Sequence, residues 1–262
     1  MSSLVVSNVT VGYGADPVVK DVSLSIPEGK VSIFIGANAC GKSTLLKAMA
    51  RLLKPSSGEI LLAEKPIETI PIREFAQQLG LLPQTPVVPD GIVVSDLVGR
   101  GRFPHQRFFR GWSNDDMIAV SDAMDAMNIV DIANCCVDEL SGGQRQRVWV
   151  AMVLAQQTGI LLLVEPTTYL DIAHQIEILD MLVTLNKSRG NTIVMVLHEI
   201  NLAARYADCL FAMRQGRIVA SGPPREIIDA QLVNTVFALD SVVISDPVSG
   251  APMVCPKSTC GK

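Results

Sequence analysis

The sequence predicts an α/β chain: a core with a mainly parallel β-sheet, an N-terminal antiparallel β subdomain and an inserted helical subdomain. Three features lead to this class. Residues 1–30 alternate apolar and polar side chains, the pattern of half-buried strands. From Val31 onward short, continuous apolar runs alternate with helix-length segments, as strands covered on both faces by crossover helices do. The stretch from about Thr85 to Glu139 carries no strong β run.

In the N-terminal layer, LVVSNVTV (4–11) and VVKDVSLSI (18–26) flank Gly12-Tyr-Gly-Ala-Asp-Pro17, a run of turn formers that predicts an antiparallel pair. VSIFIG (31–36) leads through a loop into a helix expected over Ser43–Lys54. Its apolar face would be Leu45, Leu46, Met49, Leu52 and Leu53, and Pro55-Ser-Ser-Gly58 would stop it. The remaining core strands are LGLLPQ (79–84), ILLLVE (160–165) and TIVMVLHE (192–199). A single hydrophobic core suits this length, so residues 1–240 are expected as one domain with the helical insert at about 85–145, and 241–262 as a C-terminal tail.

Composition narrows the function classes. Hydrophobic content is 48% and mean hydropathy +0.34, high for a soluble chain. The longest apolar runs, Gly159 to Val164 and Thr192 to Leu197, nevertheless fall far short of the ~18 residues a membrane span needs. MSSLVVSNVT has no basic region ahead of an apolar stretch, so no secretory signal is expected and the chain should stay in the cytoplasm. A net charge of -4 argues against a nucleic-acid binder, which carries a basic face. Cys40, Cys135, Cys136, Cys209, Cys255 and Cys260 do not form a disulfide scaffold in a cytosolic chain of this size. Cys255 and Cys260 bracket a polar tail with no histidine or second cysteine pair to complete four zinc ligands.

Two glycine-rich turns carry the chemistry. Gly36-Ala-Asn-Ala-Cys-Gly41-Lys42-Ser43 fits G-x-x-x-x-G-K-[ST] and lies where that motif must, after a strand and opening a helix. Backbone N–H groups of such a loop cradle phosphates, Lys42 reaches the terminal phosphates, and the Ser43 hydroxyl binds Mg²⁺. Ala39 places a methyl group where glycine is common, which requires a negative φ. Leu140-Ser-Gly-Gly-Gln144 precedes the helical run RQRVWVAMVLAQQ, so a second turn presents N–H groups at a helix start. Gly36, Gln84, Glu165 and His198 each fall at the carboxyl end of an expected parallel strand, the edge where open α/β sheets bind ligands.

On these motifs the chain resembles the ATP-binding cassette (ABC) ATPases over nearly its whole length, which implies a P-loop NTPase core using ATP and Mg²⁺. The resemblance assigns Gly36, Ala37, Asn38, Ala39, Cys40, Gly41, Lys42, Ser43 and Thr44 to the nucleotide. Ser141, Gly142, Gly143 and Gln144 would contact the γ-phosphate held by a second copy of the chain, so the implied working unit is a homodimer with two ATP molecules between the copies. Gln84 would touch Mg²⁺, with Ser43, and the attacking water. Glu165 would polarise that water, and His198 would contact the γ-phosphate. Lys42, Gln84, Glu165 and His198 are thus the catalytic candidates. Tyr169-Leu170-Asp171 matches the D-loop. Tyr13 matches the aromatic residue that stacks on adenine, although tyrosine is also a common strand residue.

One departure matters. The family pattern has Asp before the catalytic Glu, and here Val164 stands in its place; valine neither accepts a hydrogen bond nor carries charge. The chain is therefore expected to bind ATP and hydrolyse it poorly, and a regulatory cassette that binds without turnover stays open as a reading.

The segment from Glu165 to Gln175, with GRGRFPHQ (99–106) and ISDPVSGAP (244–252), is similar to the ATPases of iron(III)-siderophore, haem and vitamin B12 importers, most of all the siderophore group. That similarity implies membrane permease subunits as partners, an extracytoplasmic siderophore-binding protein as an indirect one, and a place on the cytoplasmic face of the membrane. Arg100, Arg102, Phe103, Pro104 and His105 would form a basic and aromatic strip for the permease, while His174 is expected as an exposed structural residue. A repair or translation ATPase would bring a coiled-coil insertion or a tandem cassette, and an exporter cassette a fused membrane domain; neither is found in the sequence.

Overall fold

A computed structural model describes residues 2–14, 16–84, 89–106, 111–168 and 170–257. Tyr169 and Cys260, both singled out above, and the expected start of the insert at Thr85 lie outside the described residues. The chain opens with β1 (Ser2–Tyr13), β2 (Asp16–Pro27), β3 (Val31–Gly36), α1 (Lys42–Met49), β4 (Ser57–Leu62) and the two-residue β5 (Lys65–Pro66). The middle holds α2 (Ile72–Gln78), β6 (Leu79–Leu82), α3 (Val94–Gly99), α4 (Asn114–Ala126), α5 (Gly142–Ala155), β7 (Ile160–Val164) and α6 (Ile172–Arg189). The chain ends in β8 (Thr192–Val196), α7 (Ile200–Tyr206), β9 (Cys209–Arg214), β10 (Arg217–Gly222), α8 (Pro224–Ile227), α9 (Ala230–Phe237), β11 (Ser241–Ser245) and β12 (Pro252–Pro256). No helix of the described residues is long and apolar enough to cross a membrane.

The chain divides into two compact units, Met1–Thr69 with Val194–Lys262, and Ile70–Ile193. In the first, the expected antiparallel layer is a sheet of order β2-β1-β4-β5. Val9, Val11, Val19, Val22 and Ile26 are buried while their neighbours face outward, which is the period-two alternation of the sequence. In the same unit β3 pairs in parallel with β9, and β9 antiparallel with β10. Every residue of β3 is buried, as a continuous VSIFIG run requires. Phe34 stacks on Phe211 across this pair, with ring centroids 4.9 Å apart.

Helix α1 ends at Met49, five residues before the expected Lys54. Arg51 adopts a left-handed φ of 60°. Leu52 N then donates to Lys47 O at 2.8 Å and Arg51 N to Ala48 O at 3.0 Å, a Schellman closure built without glycine. The early stop is tertiary in origin: Ser56 N donates to Thr10 O, and Ser57 pairs with Thr10, so the chain must turn back onto β1. Leu52 is left 59% exposed. The expected tail is also more ordered than its composition suggests. β11 and β12 form an antiparallel hairpin. Asn201 of α7 clasps it, donating to Val254 O at 3.1 Å and accepting from Val254 N at 2.8 Å.

In the second unit β6 and β7 pair in parallel, with Leu79 opposite Ile160 and Leu82 opposite Leu163. Between them the described residues hold α3, α4 and α5 with short 3-10 turns, and one isolated bridge, Val93 to Cys136. Arg102, expected in the partner strip, is instead buried. It donates to Asp116 at 2.8 Å, to Ala155 O at 2.8 Å and to Gln157 at 3.0 Å, tying the start of α4 to the end of α5. His105 bonds Gln156 O at 2.8 Å, so it too is structural, whereas Phe103 is 66% exposed.

Burial alone would raise the Asp116 carboxyl, but Arg102, with the Ser113 N–H and hydroxyl, outweighs it and holds the group at about 2, below its usual 3.8. A depressed carboxylate stabilises the fold fully above its unfolded pKa and loses that contribution as pH falls through the folded value. Asp116→Asn should therefore lower stability by about 2 kcal/mol at neutral pH. It should also flatten the loss of stability between about pH 4 and pH 2, measured by denaturant unfolding across that range.

Candidate functional site

Gly36 ends β3 opposite Met213 of β9, and a Cβ there would lie 2.3 Å from Met213 O. Only glycine permits that approach, and its φ of 152° turns the chain out of the sheet. Ala37, Asn38 and Ala39 form the exposed crest. Cys40 N donates to Ala37 O at 3.3 Å, and Cys40 O accepts from Gly216 N at 3.0 Å, which ties the loop to the β9–β10 turn. Gly41 is the N-cap of α1 with φ 108°, no side chain caps the helix, and no acid occupies its first turn. α4 and α5 begin with a full capping box. The orphan N–H groups of α1 therefore remain for an anion to satisfy.

Lys42 is buried, with Nζ donating to Gly36 O at 2.7 Å and Ala37 O at 3.0 Å. The ammonium is thus aimed along the inside of the loop. Ser43 is half-buried and Thr44 buried in the first turn. Ala39 departs from expectation: its φ is 60°, not negative. A left-handed alanine costs about 1–2 kcal/mol. Tyr13, at the end of β1, is 56% exposed, and Lys47 donates to its hydroxyl at 3.3 Å with the ammonium 5.9 Å from the ring centre. His198 is exposed between β8 and α7, on a segment tied to β3 by Leu197 N donating to Phe34 O at 3.2 Å.

The unit Ile70–Ile193 holds, by itself, a carboxylate, an amide and the second glycine-rich turn. The register that sets Leu82 opposite Leu163, carried two residues further, sets Gln84 opposite Glu165. Gln84 Nε2 donates to Glu165 Oε2 at 2.8 Å, and Thr168 Oγ1 donates to the same oxygen at 3.1 Å. Glu165 is 9% exposed and has a left-handed φ of 56°, a strained backbone held by its surroundings. Val164, before it, is buried at the end of a strand with no exposed residue.

Ser141 and Gln144 turn toward each other: Gln144 N donates to Ser141 Oγ at 3.3 Å and Ser141 N to Gln144 Oε1 at 3.1 Å. Gly142 and Gly143 follow as the first residues of α5. Gly143 has no room for a side chain, because a Cβ would lie 2.7 Å from the His174 ring. His174 is held in turn by Asp171, the N-cap of α6, through its N–H at 2.9 Å and its ring nitrogen at 2.7 Å. Those bonds, backbone first, hold the exposed Asp171 carboxyl below its usual value. The segment after Glu165 and the second glycine-rich turn thus pack on one another. Sequence reasoning sets His174 aside and overlooks Thr168, although a threonine three residues after a strand-end carboxylate is placed to close a turn on it.

Residues 19–168 match the family described as ABC transporter. The ferric enterobactin transport ATP-binding protein of Escherichia coli is 48% identical, over 94% of this chain and 91% of its own length. The iron(3+)-hydroxamate import ATP-binding protein of Bacillus subtilis is 42% identical, over 97% and 94%. Among solved structures, a metal-chelate type ABC transporter in an inward-facing conformation superposes with TM-score 0.85 at 27% identity, covering 98% of each chain. A dimeric bacterial ABC transporter cassette superposes with TM-score 0.73 at 27% identity, over 84% of this chain and 98% of that one.

Replacing Ala39 by glycine removes the left-handed strain at a smaller cost in unfolded-chain entropy, for a net gain of about 0.5–1 kcal/mol. Ala39→Gly should raise Tm by about 2 °C in a thermal melt without nucleotide; an unchanged or lower Tm would show the strain to be relieved elsewhere.

Proposed function

The chain belongs to the ABC transporter family, and from that premise we propose that it is the ATP-binding subunit that drives an importer of iron(III)-siderophore complexes. One observation carries the ATP reading: an uncapped helix start behind a glycine-rich loop, with Lys42 folded inside. The cargo rests on the names of relatives similar over almost all of both chains. Its partners are a second copy of itself, the membrane permease subunits and, indirectly, an extracytoplasmic siderophore-binding protein, and its place is the cytoplasmic face of the membrane. The insert at about 85–145 receives the permease, with exposed Arg100 and Phe103 as contacts.

Gly36 to Thr44 bind the ATP phosphates, Lys42 placing its charge on the terminal ones, and Tyr13 stacks on the base. Glu165 accepts a proton from the attacking water, Gln84 orients that water, and His198 donates to the γ-phosphate. Ser141, Gly142, Gly143 and Gln144 of the second copy close on the same γ-phosphate, and Asp171 lies at that contact. Mg²⁺, when bound, neutralises charge on the phosphate oxygens. The Ser43 hydroxyl and the Gln84 amide oxygen are hard donors of the kind it takes beside phosphates and water, and Val164 offers none.

Lys42→Ala should abolish ATP binding in a fluorescent-nucleotide titration, which tests the binding half. Glu165→Gln should retain ATP affinity and lower turnover about 100-fold or more. Val164→Asp should raise turnover about 10- to 100-fold in the permease-reconstituted protein, since an outer-shell metal partner is worth that much. Equal turnover for the unaltered protein and the Val164→Asp variant would sink the account of the valine. No turnover in the unaltered complex would favour the regulatory reading.

A further inference from the structure

Glu165 leaves β7 with a left-handed backbone and a carboxylate that must nevertheless point one way. Val164, on its N-terminal side, has no polar atom to hold it. Thr168 grips the residue at both ends: its N–H donates to Glu165 O at 3.3 Å and its hydroxyl to Glu165 Oε2 at 3.1 Å. Gln84, from the neighbouring strand β6, donates to that same Oε2 at 2.8 Å. Two donors on one oxygen from two directions define the plane of the carboxyl group. Only one of them belongs to the turn that also fixes its backbone.

We propose that Thr168 is a positioning residue for Glu165, orienting the carboxylate against Gln84 so that it meets the attacking water; this rests on the hydrolytic reading above. A strand-end carboxylate rotates about its side-chain torsions unless its oxygens are held, and a general base works only within hydrogen-bond reach of the proton it takes. Gln84 is exposed and is assigned a second task at the water and metal. When it turns to that task, the Thr168 hydroxyl still donates to Oε2. The clasp is local, joining residues three apart in the chain.

The test compares Thr168→Val, which keeps shape and backbone N–H and removes the hydroxyl, with Thr168→Ser, which restores it. In steady-state phosphate release with MgATP, Thr168→Val should lower kcat about tenfold with KM for ATP unchanged, as loss of an orienting hydrogen bond does. Thr168→Ser should stay near the unaltered protein. On a Glu165→Gln background, Thr168→Val should add no further loss, because residues that act as a unit are not additive. Unchanged kcat in Thr168→Val, failure of serine to rescue, or the same tenfold loss without Glu165 would each overturn the proposal. If Thr168→Val lowers Tm, the serine rescue and the Glu165→Gln background still decide between positioning and stability. Absence of turnover in the unaltered protein overturns the hydrolytic reading beneath; turnover that Thr168→Val leaves intact overturns this inference alone.

Discussion

A strand buried on both faces can offer polar side chains to a ligand only where it ends. β3, β7 and β8 are buried throughout, so Gly36, Glu165 and His198 emerge at or just past their carboxyl ends. The strand-end part of the candidate site depends on that constraint. Parallel pairing adds the second part, because neighbouring strands end at the same edge: the β6–β7 register alone puts an amide opposite a carboxylate. The buried strands contribute no chemistry themselves. They supply the stiffness that makes the position of an emerging side chain meaningful.

Helix starts divide into two kinds. Those of α4 and α5 satisfy their own N–H groups with a serine and a reciprocal side chain three residues on, and α6 and α9 use an aspartate. α1 has none of these devices, and neither have α2, α3, α7 and α8, but α1 is the one that follows the G-x-x-x-x-G-K-[ST] loop. Orphan donors at a helix end need a partner, and at α1 the glycine-rich loop ahead of the helix leaves them open to an anion. Ser141 and Gln144 cap their own helix, so the second glycine-rich turn leaves fewer of its groups open than the first.

Most of the candidate site is legible from residues in order, because its parts are local: a loop between strand and helix, a carboxylate after an apolar run, a glycine pair before a helix. Local pattern misleads where distant segments set the outcome. Arg102 reads as part of a partner strip because its neighbours are basic and aromatic; Asp116 and Ala155 O make it a buried tie. An alanine at position 39 calls for negative φ, but the anchor from Cys40 to Gly216 and the turn into α1 leave it left-handed. The spacing of Leu52 and Leu53 fits a continued face of α1, although the chain has to return to Thr10.

The sequence by itself determined the alternation of the N-terminal layer, the buried parallel strands, both glycine-rich turns and the identity of the strand-end residues. Each follows from side-chain period, turn chemistry or motif spacing within a few residues. Only the tertiary structure decided that Gln84 and Thr168 converge on one oxygen of Glu165, that His174 fills the space a side chain on Gly143 would need, and that residues 241–256 form a hairpin held by Asn201. Those outcomes depend on register and on which buried polar atom finds a partner. Both are set by segments far apart along the chain, and local pattern carries no record of them.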